Sequence, residues 1–169
     1  MLIRRLTPAD AAAFQALRLT ALQESPTAFS SSHEEEVSMP LSVISAALQL
    51  DSGRPKFGAF ASDVLIGMVG VGRATARKQV HKGYIWGVYV HPAQRGKGAG
   101  KLLLAAALDY LNALPDMGQV LLSVTAGNAN ATSLYETMGF SVYGTEPAAL
   151  CVAGPYYDEL LMVRPVHRS

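Results

Sequence analysis

The chain has 169 residues, 50% of them hydrophobic and 16% charged, with a formal net charge of +1. That composition fits one domain spanning residues 1–169 around a continuous core, and it excludes a disordered polyelectrolyte. Near-neutral charge supplies no global field toward nucleic acid or an anionic membrane, so neither is expected as a partner.

Met1 to Leu6 reaches Pro8 and Asp10 before any signal-like apolar stretch, and no apolar run approaches the roughly 20 residues of a membrane span. Cys151 is the only cysteine, which rules out an intrachain disulfide and suits a reducing compartment. A cytoplasmic location is expected.

Leu2 to Leu6 reads as a first strand. Thr7-Pro8-Ala9-Asp10 has the form of a helix start, with Thr7 as cap, Pro8 where its missing N–H costs nothing, and Asp10 at the capping-box position. Phe14, Leu17 and Ala21 follow at helical spacing, and Ser25-Pro26 ends the helix. Thr27 to Ser38 is polar and carries Glu34-Glu35-Glu36. A second helix is expected from about Pro40 to Leu50.

After the turn residues Asp51 to Pro55, Lys56 to Ala61 and Val64 to Arg73 read as a hairpin around Ser62-Asp63. Arg73 to Lys82 is basic and reads as a solvated turn and strand edge. Tyr84 to Val90 is apolar at both alternating sets of positions, the pattern of a central strand covered on both sides. Pro92 stops it.

Leu102, Leu103, Ala106, Tyr110 and Leu111 form a helical stripe, closed by Pro115 and Gly118, before a buried strand from Val120 to Val124. Asn130 reads as the cap of a helix with Ala131, Leu134, Tyr135 and Met138 inward and Gly139 as its left-handed stop. Phe140 to Tyr143 and Tyr157 to Val163 complete the strands. The order is mixed α/β, antiparallel in its first half, with a strand–helix–strand crossover near residues 84–124.

The most informative segment runs from Val90 to Lys101. A buried strand ends, and a loop with three alternating glycines, Gly96, Gly98 and Gly100, opens a helix. Glycine admits close backbone approach and positive φ. N–H groups at a helix start converge on an anion, and Arg95, Lys97 and Lys101 add positive charge. A phosphate or pyrophosphate is the expected guest.

Spacing decides among phosphate loops. A Walker loop would need glycine at Arg95 and a hydroxyl at Leu102. A G-x-G-x-x-G fingerprint would need glycine at Lys101 or Leu103. What fits is Arg95-x-x-Gly98-x-Gly100 directly after a strand.

That segment resembles the pyrophosphate loop of the GNAT acetyltransferases. Asn128-Ala129-Asn130-Ala131-Thr132-Ser133-Leu134-Tyr135-Glu136-Thr137-Met138-Gly139-Phe140 resembles the family's second signature at every defined position. The resemblance implies a six- or seven-stranded, mostly antiparallel sheet with about four helices, whose two parallel central strands splay apart around pantetheine. It implies acetyl-CoA as cosubstrate, with binding by Val88, Tyr89, Val90, Arg95, Gly96, Lys97, Gly98, Ala99, Gly100, Lys101 and Asn128. It also implies two catalytic groups: the Val88 N–H at the thioester oxygen and Tyr135 as proton donor to the departing sulfur.

The implied reaction is acetyl transfer to a primary amine of a small molecule or protein, by direct attack in a ternary complex. The central strand supplies no carboxylate base; Glu34, Glu35, Glu36, Asp158, Glu159 and a water chain are the candidates. That gap leaves a noncatalytic acetyl-CoA-binding sensor module as the alternative. His33, His81, His91 and His167 form no metal-ligand spacing with one another or with Cys151, so no metal is expected. Family members are often dimers, which makes a homodimer an open possibility.

Overall fold

A computed structural model describes residues 1–166; His167 lies outside them. Seven strands form the sheet: β1 (Leu2–Arg5), β2 (Lys56–Ala61), β3 (Val64–Arg73), β4 (Lys82–Val90), β5 (Gln119–Thr125), β6 (Ser141–Cys151) and β7 (Tyr156–Pro165). The helices are α1 (Ala11–Glu24), α2 (His33–Glu36), α3 (Leu41–Ala47), α4 (Ala99–Asn112) and α5 (Ala129–Thr137).

The strand order is β1-β2-β3-β4-β5-β7-β6. Every neighbouring pair is antiparallel except β4 and β5, which run parallel. A parallel pair needs a crossover, and α4 provides it.

Alternation along the strands loads both faces of the sheet. On one face Leu103, Leu104, Ala107, Leu108 and Leu111 of α4 pack with Val69, Val71, Ile85 and Val120. On the other, Leu17, Ala21 and Leu22 of α1 pack with Phe29, Ile44, Leu65, Met68 and Tyr89. The apolar stripe of α4 is therefore turned slightly from the expected one. Leu102 points outward at 46% exposure, because the i, i+1, i+4, i+5, i+8 set starting at Leu103 faces the sheet.

Other boundaries differ for local reasons. The second helix is α3, shorter than expected, with Pro40 as its N-cap. The polar segment before it contains α2, where Ser32 and Glu35 cap each other reciprocally. Asn128, not Asn130, caps α5, accepting from the Ala131 N–H at 3.2 Å. Gly139 does end that helix with φ +89°. β6 extends far beyond Tyr143, because two register shifts let it follow β7 as far as Cys151. Tyr84 of β4 is 37% exposed, so the central strand is covered on both faces only in part.

The start of the first helix is tied to the sheet edge. The Asp10 carboxylate accepts from the Thr7 N–H at 2.8 Å and from both terminal nitrogens of Arg4 at 2.8 Å. The Arg4 hydrogen bonds, foremost, hold the Asp10 carboxyl down at about 2. A depressed carboxylate pKa stabilises the fold above the ordinary value of 3.8 and loses that contribution as pH falls toward about 2. Asp10→Asn should therefore melt at a lower temperature than the wild type at pH 7. Thermal melts should show the gap closing between about pH 4 and pH 2; a gap independent of pH would contradict this linkage.

Candidate functional site

The site begins where the two parallel strands part. β4 and β5 pair only through Lys82–Gln119, Gly83–Val120 and Tyr84–Leu121. β4 then continues to Val90 and β5 to Thr125. β5 stays paired with β7 along its whole length, so the unpaired edges face each other across a gap.

A bulge sets what β4 presents there. Met68 pairs with Tyr89 but Gly70 with Trp86, which leaves Gly87 and Val88 opposite Val69. Gly87 has φ +61°, the left-handed conformation such bulges place on glycine. The extra residue switches parity. Ile85, Val88 and Val90 share the α4 face, while Tyr89 is buried on the α1 face. The His91 N–H donates to the Ile66 carbonyl at 2.8 Å, so His91 points toward β3. Alternation then turns the backbone of Val90, and of Val88 two residues earlier, toward the gap.

The glycine loop continues from this edge. Gly96 and Gly98 have φ +76° and +84°, and a Cβ on either would meet nothing within 4 Å; their space is open. Gly98 is the left-handed N-cap of α4. Intrahelical bonding begins with the Leu102 N–H on the Gly98 carbonyl at 3.1 Å. The amides of Ala99, Gly100 and Lys101 thus project from the helix start, the arrangement that suits an anion. Gly100 has a packing role as well: a Cβ there would lie 3.1 Å from Leu134 of α5.

The basic side chains of the loop are differently engaged. Arg95 donates to the Val90 carbonyl at 2.9 Å and forms a two-pronged pair with Glu24, at 3.2 and 2.8 Å. Its guanidinium also lies 5.5 Å from the Tyr89 ring. Arg95 therefore braces the strand end against α1, using three of its five N–H donors. The same hydrogen bond holds the Glu24 carboxyl below its usual range. Tyr89 is buried on the α1 side; its hydroxyl feels the Glu24 charge but makes no hydrogen bond of normal geometry. Lys97 bonds to the Ala93 carbonyl at 3.3 Å and to Gln94 at 3.0 Å. Lys101 is exposed.

Tyr135 lies in the core cluster against which Val88 and Val90 pack, edge-on to Phe140 at 6.2 Å. Burial pushes its phenol up to about 12, so it stays protonated at neutral pH. Asn128 is placed at the start of α5, its side-chain oxygen taken by the helix cap.

On the far side of the gap a cleft of about 1250 Å³ is lined by parts of β3–β7 and the segment after α1. Of the carboxylate candidates, Glu159 alone lines it. Glu34 is exposed, and Glu35 bonds Ser32. Glu36 forms an ion pair with Arg18 at 2.8 Å and Asp158 accepts from the Ala148 N–H at 2.8 Å. Glu146, Arg54 and Trp86 also line the cleft, and no local motif marks any of them in the sequence. They come from separate elements, and only the strand pairing of Glu146 with Glu159 brings two of the carboxylates together. No group of three or more His, Cys, Asp or Glu that could hold a metal occurs among the described residues.

A profile of the Acetyltransferase (GNAT) family matches residues 18–140. A mycothiol acetyltransferase of Renibacterium salmoninarum is 41% identical over 59 residues, covering 35% of this chain and 17% of that protein. A spermidine N(1)-acetyltransferase of Vibrio cholerae is 29% identical over 79 residues, covering 47% of this chain and 46% of that protein. The chain thus spans less than half the length of either relative. A putative acetyltransferase from Salmonella typhimurium, solved with its cofactor acetyl-CoA, superposes with a TM-score of 0.81. It shares 23% identity, over 100% of this chain and 95% of that one, and the likeness shows a common fold. The stretch matched by the family profile takes in the parted strands, the glycine loop and Tyr135, and the chain belongs to the GNAT family of acetyltransferases.

Proposed function

We propose that the chain transfers an acetyl group from acetyl-CoA to a primary amine by direct attack in a ternary complex. The observation that carries this reading is the unpaired edge of β4 running into a glycine-lined helix start. Unpaired backbone groups are costly when buried, and an amide-bearing arm laid along them satisfies them as an added strand would. Pyrophosphate fits the open space over Gly96 and Gly98, where the amides of Ala99, Gly100 and Lys101 project. Val88 and Val90 hold the pantetheine arm, and Arg95 keeps the end of β4 in place.

Bound acetyl-CoA supplies an activated acetyl group; the chain supplies the setting. The Val88 N–H, fixed by the bulge, stabilises charge that develops on the acyl oxygen. Tyr135, protonated throughout the neutral range, donates a hydrogen bond to the departing sulfur. A phenol near 12 is a weak acid toward a thiolate whose thiol titrates at about 8.5. Its main contribution is therefore that hydrogen bond, with the proton following as charge builds. Glu159 pairs with Thr125 at the end of β5, four residues beyond the last β4–β5 pair, and lines the cleft. Glu159 draws the amine in, and its proton leaves to water through the open cleft.

Acetyl-CoA should raise the melting temperature of the protein, since a ligand of the native state stabilises it, and ATP and NADH should do so much less. Gly98→Glu should abolish that shift while remaining folded, because the new side chain enters the open space with both volume and negative charge. A folded Gly98→Glu protein that still responds to acetyl-CoA would place the cofactor elsewhere. Binding without turnover of any amine would favour a sensor module over an enzyme.

Tyr135→Phe keeps the ring and its packing against Phe140, so its melting temperature should change little. Its kcat should fall by about 10²–10⁴-fold with acetyl-CoA affinity retained. Because burial raises the phenol, wild-type turnover should climb with pH as the amine deprotonates. No decline from tyrosine ionisation should appear until above about pH 10. Full activity in the mutant would make Tyr135 a packing residue.

A further inference from the structure

The cleft beside the parted strands has walls of opposite charge. On one side Glu146 and Glu159 are cross-strand partners, and Glu159 pairs with Thr125 at the end of β5. On the other lie Arg54, Arg73 and Lys82. The Arg54 guanidinium stacks on the Trp86 ring at 4.5 Å, and none of these three cations has a carboxylate partner among the described residues. Arg18 also reaches the cleft, but Glu36 neutralises it. The field near Arg54 is felt by Lys56, whose ammonium is pushed down first by burial and then by Arg54 and Arg18.

We infer that the acceptor is a small amine that also carries a carboxylate, with its nitrogen toward Glu159 and its carboxylate on Arg54. This rests on the acetyltransferase reading above and names the acceptor class for it. An arginine fork matches a carboxylate in two parallel hydrogen bonds, and its stacking on Trp86 holds the guanidinium plane in place. Trp86 and Val88 are two positions apart on β4 with the bulge at Gly87 between them, so no more than about 7 Å of strand separates them. That span suits a short acceptor with a few bonds between its two charges. A polyamine would bring several cations against Arg54, Arg73 and Lys82, and this cleft disfavours it.

The test compares β-alanine, propylamine and spermidine as acceptors with saturating acetyl-CoA. In parallel, calorimetry follows β-alanine binding to the CoA-bound protein. kcat/KM should be at least tenfold higher for β-alanine than for either other amine. Arg54→Gln should cut the advantage of β-alanine over propylamine about tenfold, chiefly through KM, and Arg54→Lys should restore part of it. A mere packing role for Arg54 would slow both acceptors alike and gain nothing from the lysine variant. Equal use of the three amines, or a preference for spermidine, overturns the acceptor assignment while leaving the acetyltransferase reading intact. Binding of β-alanine that Arg54→Gln weakens, with no turnover of any amine, overturns the catalytic reading and keeps the cleft's specificity. Neither binding nor turnover of β-alanine overturns the assignment outright.

Discussion

Three residue pairs hold β4 against β5, and everything distinctive about the site depends on that short seam. Had the strands stayed paired to their ends, Val88 and Val90 would bond to β5 and no gap would exist. The seam is short because each strand is secured elsewhere. β5 is paired with β7 along all seven of its residues. β4 is bound to β3 on its other edge, and the bulge at Gly87-Val88 follows three residues beyond its last pair with β5. Parting thus leaves each strand paired on its other edge, so the sheet stays ordered while one backbone edge remains open to a guest.

The end of β4 needs its own brace, because it projects past its parallel neighbour. Arg95 supplies it from the loop, bonding the Val90 carbonyl and pairing with Glu24 at the end of α1. The pair is partly exposed, at 47% and 35% for the two side chains, so its net contribution to stability is small. Its value is positional: it links the loop, the strand end and the first helix. In the same loop, Gly98 supplies a left-handed start to α4 and Gly100 lets α5 approach through Leu134. Cofactor-facing backbone and helix packing are set by neighbouring glycines.

Local chemistry made much of this legible in the sequence. The crossover, the capping at Thr7 and Asp10, the left-handed stop at Gly139 and the glycine loop all depend on residues close in the chain. What escaped depends on pairing between distant segments. The bulge at Gly87 appears as one glycine in an apolar run until the register with Met68 and Gly70 is known. Asn128 and Asn130 are equally good caps by type, and only the end of β5 at Thr125 chooses between them. The brace formed by Arg95 is hidden because its partner Glu24 is 71 positions away. The cleft walls were hidden for the same reason, since Arg54, Trp86, Glu146 and Glu159 meet only through the sheet order.

On this reading the open edge of β4 receives the pantetheine arm as a strand. Amide hydrogen exchange, read residue by residue with and without CoA, tests it most directly. Strong slowing is expected at Val88 and Val90, together with Ala99, Gly100 and Lys101, with little change along the paired β5–β7 ladder. Slowing at the helix start alone, with Val88 and Val90 exchanging as fast as in the free protein, would contradict it.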